Sequence, residues 1–185
     1  MNQINIQYYK TKIGELIIGS IDNKLCLLDY RYRRMRQAVD KRLRMRQAVD
    51  KRLKNGFDAE FIEKDNEILK KIRTQIDEFL IGARKEFDIP IVTIGTDFQK
   101  KVWNALMDVK YGEIATYLDL AKKIGNPKAV RAVASANGAN SISLIIPCHR
   151  IIGSDGKLVG YGGGLPTKKR LLKIERENSI LREKE

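Results

Sequence analysis

Three short runs open the chain, INIQYYK, ELIIGSI and KLCLLDY, each crowded with Ile, Leu or Tyr and separated by TKIG and DNK. Apolar runs of this length bounded by turn residues predict strands. Cys26, between Leu25 and Leu27, reads as a buried structural residue of the third strand. From Asn66 to Ala83 the period changes. Ile68, Leu69, Ile72, Ile76, Phe79 and Leu80 recur at helical spacing with charges between them. IGARKEFDIPIVTIGT then reads as a connection into an extended segment. It places a boundary near residues 82–92, and divides the chain into an N-terminal domain, 1–88, and a C-terminal one, 89–185.

The second half is helical at first. Thr96 with Gln99 three residues later forms a capping-box pattern before FQKKVWNALMDV, whose apolar face is Phe98, Val102, Ala105, Leu106 and Val109. Trp103, the single tryptophan, reads as core. Thr116 can cap a short helix ending near Ile124, Gly125 breaks it, and Asn126 can cap the next helix with Pro127 at its first position. Two helices around a short Gly-containing turn make a helix-turn-helix candidate. The second helix, AVRAVASANGAN, is mostly small residues, with Arg131 as its long charged side chain. Such a helix either packs tightly inside the protein or lies in a narrow groove of DNA. The last apolar run, SLIIPCHRIIG, reads as a strand interrupted by Pro147.

Charge sharpens the second of those options. Lys and Arg number 36 against 23 Asp and Glu, a net charge of +13, which favours polyanionic partners. The excess is concentrated: residues 31–54 carry eleven basic and two acidic side chains. Within them RMRQAVDKRL occurs twice in succession, at 34–43 and 44–53. Ten residues turn a helix roughly 80° short of whole turns, so the two copies cannot present Met and Val to one core stripe. The second copy is expected to lengthen an existing helix or to displace the other into solvent. No apolar stretch approaches the ~20 residues that span a bilayer. MNQINIQYYK lacks a basic segment followed by an apolar one. No spanning segment or signal peptide is therefore expected; a membrane is not the expected partner, and the protein is expected to be cytoplasmic with reduced thiols.

Cys148 and His149 are adjacent, and His149 is the only histidine. In a regular strand neighbouring side chains point to opposite faces, so the pair cannot meet directly. A cysteine needs a nearby base or cation to become thiolate, since its free pKa is ~8.5. Arg150 follows at once, and the helix after the Gly-rich GKLVGYGGGL carries Glu175, which could orient the imidazole as the third member of a relay.

The ordered set FQKKVW, GNPKAVRAV, IPCHRII and GYGGGLPTKKRLL resembles the O6-alkylguanine-DNA alkyltransferases, the methylated-DNA–protein-cysteine methyltransferases. The resemblance is dense from Thr93 to Glu175 and weak before it. It implies an α+β fold, with a ribonuclease-H-like α/β N-terminal domain and a mostly helical C-terminal domain holding the helix-turn-helix and the PCHR segment. It implies repair by stoichiometric, irreversible transfer of an alkyl group from O6-alkylguanine, and from O4-alkylthymine, to Cys148 after the damaged nucleotide is flipped through the minor groove. His149 would act as base through a water, Glu175 would hold the imidazole, Asn140 would support the turn and Tyr117 would serve N3 of the leaving base. Pro147 and Arg150 would be structural. Arg131 would enter the duplex, with Thr116, Asn126, Lys128, Ala132, Ala134 and Ser135 against the DNA. Ile151, Tyr161, Gly162 and Gly163 would complete the base pocket with Tyr117.

The expected partner is double-stranded DNA bearing O6-alkylguanine, bound by a monomer without cofactor. Gly162 stands where some members of that family have serine. With Cys26 alone and no histidine in the N-terminal half, a four-ligand zinc site there is not expected. Three readings compete. A non-catalytic protein that recognises alkylated bases would lack the cysteine. A helix-turn-helix regulator would carry base-reading side chains on its Ala-rich helix. A cysteine hydrolase needs a Cys and His that meet.

Overall fold

The computed structural model describes the backbone of residues 1–32 and 39–180 and the side chains of 1–32 and 46–179. The three opening runs form β1 (Asn2–Thr11), β2 (Gly14–Ile21) and β3 (Lys24–Tyr30), an antiparallel meander. Its second turn places Asp22 and Asn23 at φ 48° and 57°, the left-handed pair that Asx residues tolerate and that matches strand twist. A fourth strand, β4 (Ala59–Glu63), pairs parallel to β1 and gives the order β3-β2-β1-β4.

Both faces of this sheet are covered, which explains the unbroken burial of β2 and β3. On one face α1 (Val39–Phe57) seats Val49 and Leu53 against Ile4, Ile6, Ile17, Ile21 and Leu27. Helix α1 runs unbroken from the end of the first decapeptide through the whole of the second. The duplicated segment thus continues one helix over residues 39–57, and among the described residues its second copy supplies Val49 and Leu53 to the core. Residues 34–38 of the first copy lie outside the described residues. On the other face α2 (Glu67–Leu80) buries Leu69, Ile72, Ile76 and Phe79. Asn66 caps it by accepting from the Leu69 N–H.

The C-terminal half shares that second core. Helix α3 (Asp97–Met107) starts at the capping box of Thr96 and Gln99 and buries Trp103 and Leu106. A two-stranded pair, β5 (Ala115–Thr116) and β6 (Ile151–Ile152), flanks α4 (Tyr117–Lys123) and α5 (Val130–Gly138). The long α6 (Leu165–Ile180) closes the chain. Thr116 caps α4 as expected. Asn126 does not cap α5 with its side chain. Residues Pro127–Ala129 form a 3₁₀ turn before α5, and the Asn126 carbonyl accepts from the Ala129 N–H.

The open edge of β3 is where the two halves join. Leu25 exchanges backbone hydrogen bonds with Pro90 and Val92, and Leu28 with Ser141 and Ser143. An edge strand offers unpaired N–H and C=O groups; here they hold the connection at 90–92 and, through Leu28, the chain just before Cys148. No helix is long and apolar enough to cross a membrane among the described residues.

Candidate active site

The segment 143–150 is not a strand, contrary to the periodicity of SLIIPCHRIIG. Leu144 sits at φ 71°, and the Ile145 N–H donates to the Ser143 carbonyl. This is a γ-turn of the strained hand for a non-Gly residue, held by burial of the Leu144 side chain. Asn140 spans the bend: its side-chain amide donates to the Ile146 carbonyl at 2.9 Å, and its oxygen accepts from the Ile142 N–H at 2.9 Å. Pro147 then leads into a 3₁₀ turn, Cys148–Arg150. At three residues per turn, neighbouring side chains diverge by about 120°, so Cys148 and His149 occupy different sides of the turn.

Cys148 lines a cavity of about 380 Å³ together with Asp29, Tyr117, Ser135, Asn137, Tyr161 and Gly162, among other residues. His149, the next residue, is fully buried and does not line it. Its Nε2 meets Glu175 Oε1 at 2.7 Å, and its Nδ1 is buried without a hydrogen-bond partner among the described residues. Glu175 is buried on α6, where it also receives the Arg150 guanidinium at 2.9–3.1 Å and the Gly112 N–H at 3.1 Å. Gly112 adopts φ 82°, and a Cβ there would lie 2.2 Å from the Ser179 hydroxyl, so only glycine lets this N–H approach. Arg150 further donates to the Val109 carbonyl at 2.6 Å. Its charge is thus paired with Glu175, and it holds that carboxylate in place.

Electrostatics follow from burial. Desolvation lowers the His149 pKa below 6.5 against the opposing pull of Glu175, so the imidazole stays neutral and able to accept a proton. Burial tends to raise Glu175, but hydrogen bonds and charge from His149 and Arg150 outweigh it and bring the carboxyl to about 2. Burial pushes the Tyr117 phenol up to about 12, which keeps it a proton donor.

Not every expected pocket residue lies in the pocket. Ile151 and Gly163 are absent from its lining. Ile151 is completely buried in the core through β6, whose pairing with β5 turns its side chain inward. Gly163 is packed under the Tyr30 ring, so closely that a Cβ would fall 2.5 Å from it. Tyr161 lines the cavity, with its hydroxyl 3.0 Å from that of Tyr30. Lys168 was not foreseen: it is fully buried, and its ammonium donates to the carbonyls of Ile151, Val159 and Gly160. It ties the loop at the pocket mouth to β6. Burial lowers its pKa to about 8. Its signal in the sequence was its place seven residues before Glu175, two turns along one helix face.

Outside the pocket, α5 presents Arg131, Ala132 and Ser135 to solvent on one face, with Lys128 and Asn126 exposed just before it. Ala134 is half-buried and lines the cavity. Thr116 is half-buried, and its hydroxyl both accepts from the Asp119 N–H and donates to the Asp119 carboxylate. Cys26 is buried, with its thiol directed at the Gly19 carbonyl. Among the described residues, no three His, Cys, Asp or Glu side chains group as metal ligands.

Comparison with known proteins matches two family models along the chain. Residues 4–93 match the ribonuclease-like domain of 6-O-methylguanine DNA methyltransferase, and residues 97–177 match its DNA binding domain. The methylated-DNA–protein-cysteine methyltransferase of Methanosarcina acetivorans is 49% identical over 112 residues, which span 60% of this chain and 72% of that protein. The inducible enzyme of Bacillus subtilis is 42% identical over 123 residues, 66% of this chain and 69% of its own length. The crystal structure of Mycobacterium tuberculosis OGT in complex with DNA superposes with a TM-score of 0.74 at 32% identity, covering 95% of this chain and 94% of that one. The chain therefore belongs to the 6-O-methylguanine DNA methyltransferase family, an enzyme family of methylated-DNA–protein-cysteine methyltransferases.

Proposed function

We propose that the chain repairs double-stranded DNA by taking the alkyl group of O6-alkylguanine, and of O4-alkylthymine, onto Cys148. The observation that carries this is the buried His149–Glu175–Arg150 cluster, whose imidazole is the next residue in the chain after the thiol that lines the cavity. The thiol proton passes to neutral His149, bridged by water to its Nδ1, and Glu175 stabilises the imidazolium. Cys148 Sγ attacks the alkyl carbon, the S–C bond forms and the C–O6 bond breaks. Tyr117 donates to N3 of the leaving base, and the proton taken from the thiol is returned overall to guanine. The thioether is permanent, so each molecule acts once.

A stacked base cannot present O6 to a pocketed thiol, so the nucleotide is flipped at a cost of a few kcal/mol, less for a poorly paired alkylguanine. The exposed small-residue face of α5 suits the minor groove. Arg131 stands in for the extruded nucleotide. Lys128 contacts the phosphate backbone, a term that weakens with salt. Tyr161 and the Gly162 N–H close over the base. The experiment is a Cys148→Ala variant on an O6-methylguanine duplex. Binding retained with transfer abolished supports the reading; transfer surviving the substitution overturns it.

A further inference from the structure

Helix α5 ends without a basic residue in its own last turn. Its carbonyls there carry the negative end of the helix dipole. Two side chains from elsewhere reach them. Trp103 Nε1 on α3 donates to the Ala136 carbonyl at 2.9 Å. Arg52 Nη2 on α1 donates to the Ala139 carbonyl at 2.7 Å. The Arg52 guanidinium also lies 5.2 Å from the centre of the Trp103 ring, within cation–π range. The next residue in the chain, Leu53, is fully buried against the sheet and anchors α1 at this point.

From this we infer that Arg52, a residue of the second decapeptide copy, is a positioning residue for the DNA-reading helix, clamping the C-terminal end of α5 from the N-terminal domain. The inference rests on the proposed placement of α5 against DNA. A cation on a rigid neighbouring helix fixes the angle at which α5 leaves the body of the protein. The clamp falls one residue before Asn140, which holds the Cys148 turn through bonds of its own. Ala134, Ser135 and Asn137 of this helix also line the cavity, so loss of Arg52 acts on a duplex through Arg131 and less strongly on the pocket, whose Cys148 turn Asn140 holds. It also assigns work to a segment whose net charge alone would read as a solvated face: Arg52 reaches the end of α5, as Arg46 of the same copy reaches buried Asp29.

The test compares the full chain with R52Q and R52K on an O6-methylguanine duplex and on free O6-benzylguanine, the second needing no groove contact. R52Q is expected to lose transfer on the duplex roughly fivefold to tenfold at subsaturating protein. Transfer from the free base should stay within about twofold, and R52K, which keeps a cationic donor, should recover most of the duplex loss. Equal losses on both substrates, or none on the duplex, overturn the inference. Hydrogen exchange of the amides from Ser135 to Asn140 reads the clamp even if the unmodified chain transfers nothing, an outcome that would remove the proposed function itself. Faster exchange in R52Q supports the clamp, and unchanged exchange overturns it.

Discussion

His149 Nε2 and Glu175 Oε1 lie 2.7 Å apart with neither side chain exposed to solvent. The carboxylate that orients the imidazole is the same one that neutralises buried Arg150. Glu175→Gln thus removes two things at once. It leaves a buried guanidinium without its counter-charge, a loss of about 3–5 kcal/mol. It also unseats the base, a slowing on the order of 10²-fold or more. Urea unfolding and single-turnover transfer read these separately, and Glu175→Gln/Arg150→Gln should recover stability without recovering rate.

Stability should fall in acid in two stages. Glu175 has its pKa depressed from 4.5 to about 2, so its contribution is complete above 4.5 and is lost as pH drops through that window. At about 1.4 kcal/mol per pH unit, the window holds on the order of 3 kcal/mol. His149, kept neutral by burial, begins the decline from 6.5 downward. Lys168 acts at the other end: burial depresses its pKa from 10.5 to about 8, so stability rises as pH climbs through that interval. Denaturant titrations across the pH range check all three, and a flat acid limb would contradict the His149–Glu175 account.

Arg131→Ala should slow transfer on duplex DNA by on the order of tenfold to a hundredfold, because nothing then fills the gap left by an unstacked base. On free alkylated base the same variant should behave as the parent. Equal losses on both would count against the insertion of Arg131. Rate against DNA concentration on the two substrates measures this.

Local signals were legible and distant ones were not. The three opening strands and the caps at Thr96 and Thr116 depend on residues a few positions apart, and the structure has them where the pattern places them. β4 was missed because AEFIE buries only Ala59 and owes its form to β1, more than fifty residues away. The flank before PCHR was misread as a strand because burial made it mostly apolar, whereas Ile151–Ile152 after it is strand β6. A γ-turn at Leu144 leaves no mark in composition. Lys168 was missed because lysine is seldom buried, and three carbonyls that fold around it cannot be seen in a linear chain. The contact between His149 and Glu175 was legible through the ordered motifs, and the pairing of Glu175 with Arg150 came only with the fold.

Deleting residues 34–43 or 44–53 yields the same polypeptide, since the copies are identical. The remaining copy feeds the same helix into β4 and presents one equivalent each of Arg46, Val49, Arg52 and Leu53. Transfer by the shortened chain should remain within about threefold of the parent, and its stability should change by less than about 1 kcal/mol, since the removed residues extend a helix already anchored. Loss of folding or activity would mean that both copies are needed. Circular dichroism melting and single-turnover transfer decide it.

The central claim is that Cys148 is the alkyl acceptor. The direct measurement is the intact mass of the chain after incubation with duplex DNA containing O6-methylguanine, followed by peptide mapping. The account predicts one CH2 increment, confined to the Cys148 peptide and stopping at one equivalent however much substrate is added. An increment on Cys26, more than one per chain, or none at all with DNA still bound would contradict it.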